Sequence, residues 1–358
     1  MIREGNIPDL RSTGLHPDFW YPLVRSNKLK PGKAVAASFA GDPIVIIRAK
    51  SGALYALEDR CAHRQVPLSA GVVQGERIRC GYHGWSYDRA GKCVEVPYLG
   101  SRDRLPNGVR SYPCREAYGL IFVFPGDQAK VELTPFPQAP SWSDSRYKTR
   151  YLDRRVKCHY SFMHENLMDM NHQFLHRRLM GGIKPTFLEL NTGENFVEAS
   201  YTFRRESGRQ TLGERFMIGK GGPKIRPHDL MTIRTQYPYQ TLQFTSADQE
   251  KPSLDLWLSY LPVDRQQRVN QTHGLMMIRK PSIPGLMELF WPFIVWFTEG
   301  IFAEDRWIME LEQKAYDDQG GDWNNEIFPL ILALRQLLAR QGVPLLQEKE
   351  TASQLAGL

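Results

Sequence analysis

The sequence predicts an α+β fold in two domains, an N-terminal all-β domain followed by a larger domain in which helices flank an antiparallel sheet. Three observations carry this expectation. At 358 residues the chain exceeds the usual size of one domain. Its first third is a succession of short β-type runs divided by turn signals, and its last part changes to a helical period. Between the two, residues 128–146 hold Pro135, Pro137 and Pro140 with little periodicity, the composition of a linker.

Residues 1–18 are polar and punctuated by Pro and Gly, and read as an arm. The first domain, 19–127, contains β-type runs at 19–24, 34–39, 44–48, 54–57, 77–80, 85–87, 93–96 and 120–124, with turns such as Gly41-Asp42-Pro43 and Lys50-Ser51-Gly52. The second domain, 147–358, opens with a strand at 147–157 and a helix that carries Glu165 to His176. Further strands are expected at 197–204, 231–237, 241–245, 254–261 and 272–278, with a Gly-rich loop at 219–222. Helical period covers 286–317, and a last amphipathic helix 327–340.

The formal charge of +7 permits an acidic partner, but Lys and Arg are scattered, the densest groups being pairs such as Arg154-Arg155 and Arg177-Arg178. That distribution argues against nucleic-acid binding. The N-terminus has no apolar core of signal-peptide length. The most apolar run, 286–302, is interrupted by Glu288, Pro292 and Glu299 and is expected to fall short of a membrane span. Five cysteines without a regular framework fit a reducing compartment, and the protein is expected to be cytoplasmic.

Two groups of metal-ligand residue types stand out. Cys61-Ala62-His63 and Cys80-Gly81-Tyr82-His83 each place one thiol and one imidazole at a strand end. Two Cys and two His can hold zinc tetrahedrally. They can also hold a two-iron, two-sulfur cluster, with both thiolates on one iron and both imidazoles on the other. One Cys and one His per loop favours the cluster, because zinc sites more often pair cysteines within one knuckle. Cys93, Cys114 and Cys158 read as small buried hydrophobes.

The second group lies in Glu165-Asn166-Leu167-Met168-Asp169-Met170-Asn171-His172-Gln173-Phe174-Leu175-His176. On a continuous helix Asp169, His172 and His176 would share a face. Two imidazoles and a carboxylate on one side of a metal leave the other side open, the arrangement that non-haem Fe(II) uses toward O2. A His pair at this spacing, taken alone, serves equally well as a structural or solvated pair.

At these residues the chain resembles the Rieske non-haem iron oxygenases. The match includes His63-Arg64, Pro67-Leu68-Ser69 and Gly84-Trp85 around the first group, and the pattern Asn166, Asp169, His172, His176 in the second. Val66 and Tyr82 stand near where the cytochrome bc type of Rieske protein carries extra cysteines. Most members have four residues between the two histidines, and here there are three. His164 and His159 precede the motif and are the alternatives to His176.

The resemblance implies a [2Fe-2S] cluster on Cys61, His63, Cys80 and His83, and a mononuclear Fe(II) on His172, His176 and a distant carboxylate. In the family that carboxylate lies in an acidic pair on a late helix. Asp305 fits it, with Glu304 the neighbouring alternative. Asn166 and Asp169 are implied catalytic residues, Asp169 bridging the Rieske histidines of a neighbouring chain to His172 in a head-to-tail homotrimer.

No Gly-x-Gly-x-x-Gly follows a strand, so electrons must come from a separate NAD(P)H-dependent reductase, directly or through a ferredoxin. The expected activity is terminal oxygenation, hydroxylation or oxidative demethylation, of a bulky apolar ring substrate. The absence of any sign of a small subunit leans toward a monooxygenase. The aromatic residues of 286–302 either pack into the core or line the substrate pocket. The competing functions are a Rieske electron carrier, which would need only the first domain, and a zinc-stabilised binding protein, for which the 166–176 pattern would be coincidence.

Overall fold

A computed structural model describes residues 9–100, 104–205, 229–246 and 250–345. The loop expected at 219–222 lies outside the described residues. The chain divides into two compact units, one of residues 16–138 with 261–265, the other of 1–15, 139–260 and 266–358.

Among the described residues the first unit is built from three small sheets whose registered pairs are antiparallel. Lys33–Phe39, Asp42–Arg48, Leu54–Glu58 and Ser111–Tyr112 form one. Tyr21–Arg25, Leu120–Val123 and Cys114–Ala117 form the second, and Val72–Gln74, Arg77–Arg79, Ser86–Tyr87 and Cys93–Glu95 the third. The hairpin between Phe39 and Asp42 turns through Ala40 and Gly41, whose φ is 86°. A side chain at Gly41 would start 2.7 Å from the backbone nitrogen of Arg265, so both the turn and the close approach require glycine. Val45, Ile47, Leu57, Leu68, Ile78 and Tyr87 are fully or almost fully buried around Cys61 and Cys80, so the core of this unit encloses the first cysteine pair.

The second unit centres on a seven-stranded sheet in the order Tyr147–Val156, Asn270–Arg279, Leu254–Pro262, Tyr239–Thr245, Leu230–Gln236, Phe196–Arg205, Ile183–Thr192. Among the described residues four helices accompany it. They are α1 (Tyr160–Met168), α2 (Arg177–Met180), α3 (Leu286–Gln319) and α4 (Pro329–Gln341). Helix α4 begins with a proline at its first turn and buries Leu330, Ile331, Leu334, Leu337 and Leu338, an apolar face at helical spacing. Thr13–Gly14 pairs with Val343–Pro344, tying the N-terminal segment to the end of α4.

Helix α3, at 34 residues, is roughly 51 Å long. It runs between two left-handed glycines, Gly285 and Gly320, and the N–H of Gly320 caps the carbonyls of Tyr316 and Asp317. Its buried residues, Met287, Ile294, Thr298, Asp305, Met309 and Gln313 with Phe297 beside them, make a narrow stripe at spacings of four and seven. The sequence expectation that its apolar run falls short of a span is not met by length and composition, for α3 is long and apolar enough to cross a membrane. Only a narrow stripe of it is packed, and several of its polar residues are tied to its own unit. Glu299 bonds the buried Arg150 at 2.6 Å and Arg154 at 2.6 and 2.7 Å, and Trp296 is 62% exposed instead of buried in the core.

Candidate metal centres

The two loops of the first unit are built alike. Cys61 N–H donates to the Val66 carbonyl at 2.8 Å and the Cys61 carbonyl accepts from Gln65 N–H at 2.9 Å. Cys80 N–H donates to Trp85 at 2.8 Å and its carbonyl accepts from Gly84 N–H at 3.2 Å. In each loop the residue four beyond the cysteine is left-handed, with φ of 60° at Gln65 and 76° at Gly84. The two turns share these backbone bonds, although the imidazole follows the cysteine by two residues in the first and by three in the second, and the His63 and His83 ring centroids are 4.6 Å apart.

Surrounding groups hold this donor set. Tyr87 Oη lies 3.2 Å from Cys61 Sγ and accepts from Ala62 N–H at 3.0 Å. The Asp59 carboxylate accepts from Ser69 N–H and Ser69 O–H at 2.7 and 2.6 Å, closing the first loop. His63 stacks on Trp85 at 4.8 Å and 3°. Cys61 and Cys80 are buried, and burial pushes the Cys80 thiol up. His63 is held down by desolvation and by His83. Its Nδ1 is buried without a hydrogen-bond partner, the condition of a nitrogen left for a metal. Two buried thiols opposite two imidazoles that reach the surface of their unit fit a [2Fe-2S] cluster.

In the second unit the helix expected to carry Asp169, His172 and His176 on one face is not continuous. α1 ends at Met168, and Asp169 has φ −92° and ψ 92°. Its carboxylate accepts from Asn171 N–H at 2.9 Å and caps a 3-10 turn, Met170–Phe174, which leads into α2. A short acceptor side chain here competes with the helix for the backbone N–H groups and stops it.

The turn still brings the two histidines together, and α3 adds a carboxylate. One ligand atom from each of His172, His176 and Asp305 lies within 4.8 Å of the others. His176 Nε2 is 3.2 Å and His172 Nε2 3.9 Å from Asp305 Oδ1. The far nitrogens are occupied. His172 Nδ1 lies 2.5 Å from the Asp169 carbonyl oxygen, and His176 Nδ1 lies 2.8 Å from Glu304 Oε2. Each Nδ1–H thus donates away from the cluster, which leaves both Nε2 lone pairs facing Asp305.

Asp305 Oδ1 is buried and makes no hydrogen bond, so the centre has an oxygen as well as two nitrogens waiting for an electrophile. Burial pushes His172 down, with Asp305 opposing and His176 assisting. For His176 burial acts the same way, but Asp305 and Glu304 outweigh it and raise the ring. Two nitrogens and one carboxylate oxygen, with second-layer partners fixing the rings, fit a single first-row metal with open positions. His159 and His164 are not part of this group. His159 caps α1 through Ser161, and His164 is fully buried edge-on to Tyr260 at 4.8 Å.

Two cavities adjoin the centre, and Asn166 lines both. The first is mostly apolar, walled by Leu152, Val156, Met163, Leu258, Tyr260 and Phe302, and reaches Asp305. Of the aromatic residues in 286–302, Phe302 alone lines it. The second reaches His172 and Asp169 and is lined by Glu165, Glu312 and Glu326 among apolar residues.

Three features carry no motif in the sequence. Glu304 serves His176. Tyr87 serves Cys61. Glu165, beside the motif asparagine, is held between two buried cations, Arg11 at 3.0 Å and Arg335 at 2.8 Å. The only advance signal was the Glu304-Asp305 adjacency, where two carboxylates on neighbouring helical positions can split the roles of ligand and ligand holder.

Comparison with known proteins assigns residues 19–113 to the model described as Rieske [2Fe-2S] domain, and 156–338 to the one described as Vanillate O-demethylase oxygenase C-terminal domain. A 4beta-methylsterol monooxygenase from Methylococcus capsulatus is 32% identical over 355 residues, covering 94% of this chain and 92% of that protein. The oxygenase component of dicamba O-demethylase from Stenotrophomonas maltophilia is 33% identical over 159 residues, 44% of this chain and 47% of that one. Among solved structures, dicamba monooxygenase bound to 3,6-dichlorosalicylic acid has the same fold at TM-score 0.73, with 21% identity over 96% of this chain and 99% of that one.

Proposed function

The chain belongs to the Rieske non-haem iron oxygenases, and from that premise we propose that it is the terminal oxygenase of a system that inserts one atom of O2 into a C–H bond of a bulky, apolar, fused-ring substrate, the other atom leaving as water with two protons and two electrons from a reductase. The observation that carries this reading is the convergence of His172 Nε2, His176 Nε2 and the unpaired Asp305 Oδ1 beside an apolar cavity. Hydroxylation of a methyl carbon is also the first step of an oxidative demethylation.

In this reading residues 19–127 are the Rieske domain, 147–358 the catalytic domain and 128–146 their linker, with 1–18 an arm. Cys61, His63, Cys80 and His83 hold the [2Fe-2S] cluster, and His172, His176 and Asp305 hold Fe(II). When bound, the cluster supplies single electrons and the iron activates O2. Glu304 and the Asp169 carbonyl fix the two imidazoles, and the apolar walls exclude water while orienting the substrate.

Asn166 lines the wall shared by both cavities and is assigned to positioning at the centre. The Asp169 carboxylate spends one oxygen on Asn171 and is assigned the link to His63 or His83 of a neighbouring chain in a homotrimer. Electrons come from an NAD(P)H-dependent reductase, directly or through an acidic ferredoxin drawn by the positive balance of +7. All five cysteines are free, in keeping with action in the cytoplasm. The walls of the cavity support an apolar substrate, and the fused-ring size class rests on the methylsterol named for the relative that spans nearly the whole chain.

The test is anaerobic purification of wild type and His172→Ala, followed by visible and EPR spectra and turnover under labelled O2 with a reductase. Both proteins should show a reducible two-iron cluster, and wild type alone should place one labelled oxygen in a sterol or terpenoid. A colourless, zinc-only preparation, or turnover confined to small charged substrates, would refute the reading.

A further inference from the structure

Two methionines line the cavities at the metal centre, and the reaction proposed above gives neither of them a task. Met163, 7% exposed, stands on α1 three residues before Asn166, and both line the apolar cavity that reaches Asp305. Met309, 6% exposed, lines the second cavity with His172. Met168 and Met170 flank Asp169 in sequence, yet both are buried and line neither cavity.

The walls of the apolar cavity differ in how readily they are oxidised. Leu152, Val156 and Leu258 offer only aliphatic C–H bonds. Tyr260 offers a phenol, but its O–H donates to Gln240 Oε1 at 2.8 Å and the residue is 2% exposed. Among the described residues Met163 brings the only sulfur to this wall. A thioether is soft and polarizable, and it accepts an oxygen atom on a lone pair without losing any bond. With no substrate in the cavity, this sulfur is the most easily oxidised group on the wall.

We propose that Met163 is a self-oxidation site, converted to methionine sulfoxide when the enzyme consumes O2 without substrate, and that the change weakens binding of apolar ligands. One oxygen atom forms the S–O bond as the O–O bond breaks, and the other leaves as water with two protons. The reductase supplies two electrons and the sulfur lone pair the other two. The sulfoxide puts a polar oxygen into a cavity walled by Leu152, Val156 and Leu258, which disfavours an apolar occupant. Idle turnover thereby shuts down substrate binding until a sulfoxide reductase restores the thioether. The inference rests on the oxygenase reading, because the oxidant is O2 used at this centre.

The experiment incubates iron- and cluster-loaded protein with reductase, NADH and labelled O2, once without substrate and once with a 4-methylsterol, and maps oxidised methionines by peptide mass spectrometry. Without substrate Met163 should gain one labelled oxygen while Met168 and Met170 stay unmodified. With the sterol the label should move to the product. His172→Ala should leave Met163 unlabelled. In a parallel arm iron-free protein is treated with hydrogen peroxide, and there the half-buried Met180 and Met231 should oxidise before Met163. That reversal of order separates oxidation at the centre from attack by free peroxide. After idle turnover, protein stripped of iron should bind the sterol about tenfold more weakly, and Met163→Leu should neither take up label nor lose affinity.

Labelled sterol product beside an unmodified Met163 in the idle arm overturns the proposal and leaves the oxygenase reading standing. Labelled Met163 without any labelled product upholds the site and overturns the substrate class. No label in protein or product overturns both. Label appearing at Met309, Met180 or Met231 ahead of Met163 also overturns the proposal, as does a labelled Met163 with unchanged sterol affinity.

Discussion

Glu312→Gln should make the protein more stable above neutral pH and leave it unchanged in mild acid. Glu312 follows Asp305 by two turns of α3, about 10 Å along the axis, and lines the second cavity with Glu165, Asp169 and His172. Burial pushes its carboxyl from 4.5 up to about 7, with Glu165 adding to the effect and Arg11 and Arg335 opposing it. The folded state therefore keeps a proton that the unfolded chain has released once pH exceeds the ordinary glutamate range. The favourable contribution is complete below about 4.5 and is lost as pH rises through about 7. At 1.36 kcal/mol per pH unit the full span is roughly 3 kcal/mol. Glutamine keeps the shape and cannot ionise. At pH 8 the variant should melt several degrees above wild type, about 2–4 °C for each kcal/mol in a domain of this size, and the gap should close by pH 5. Thermal melts of both proteins across that range provide the measurement. A gap independent of pH, or a variant less stable than wild type at pH 8, would refute the assignment of a neutral carboxyl at this position.

Three further outcomes follow from the second-layer contacts. Glu304→Gln removes the carboxylate that orients His176 but none of the three donors, and should weaken iron binding about 10–100-fold in a metal titration while leaving the cluster spectrum intact. Tyr87→Phe deletes the hydroxyl beside Cys61 Sγ, so the electron-rich reduced cluster loses a donor and its potential, read by redox titration, should fall by tens of millivolts. Arg335→Leu strips one of two cations from buried Glu165 and should lower stability by about 3–5 kcal/mol. A loss below 1 kcal/mol in chemical denaturation would mean that Arg11 alone neutralises that carboxylate.

The strands of the first unit were legible because apolar runs such as Ile44 to Ile47 and Leu120 to Val123 are buried on both faces and bounded by turn residues. The strand Ile183–Thr192 was not, since it is the sheet's last strand with most residues exposed and Pro185 within it, leaving no alternation to read. Helix α3 was legible from its period, but its two faces were not. Aromatic residues populate both, and only packing shows that Phe297 goes inward while Trp296 goes out. The motif histidines were identifiable by spacing and resemblance, although the expected continuous helix ends at Asp169. Arg11 was invisible, because nothing local distinguishes an arginine in a polar N-terminal segment from one whose guanidinium lies 3.5 Å over the Phe162 ring and pairs with Glu165.

The inward stripe of α3 bears on the metal centre through charge. A packing stripe ordinarily admits no carboxylate, yet Asp305 occupies it, 9% exposed, between Thr298 and Met309. Its neighbours there are imidazoles, and Glu304 adds a second carboxylate on the far side of His176. Burial works against a positive charge on His172, and His176, which the two carboxylates raise, can bring at most one positive charge against their two negative ones. A buried carboxylate without a counter-charge is strongly disfavoured. A divalent cation bound by His172, His176 and Asp305 removes that penalty and at the same time satisfies the orphaned Oδ1. The position of an acid in a packing stripe, with more negative than positive charge around it, therefore argues for a metal on electrostatic grounds that owe nothing to the motif.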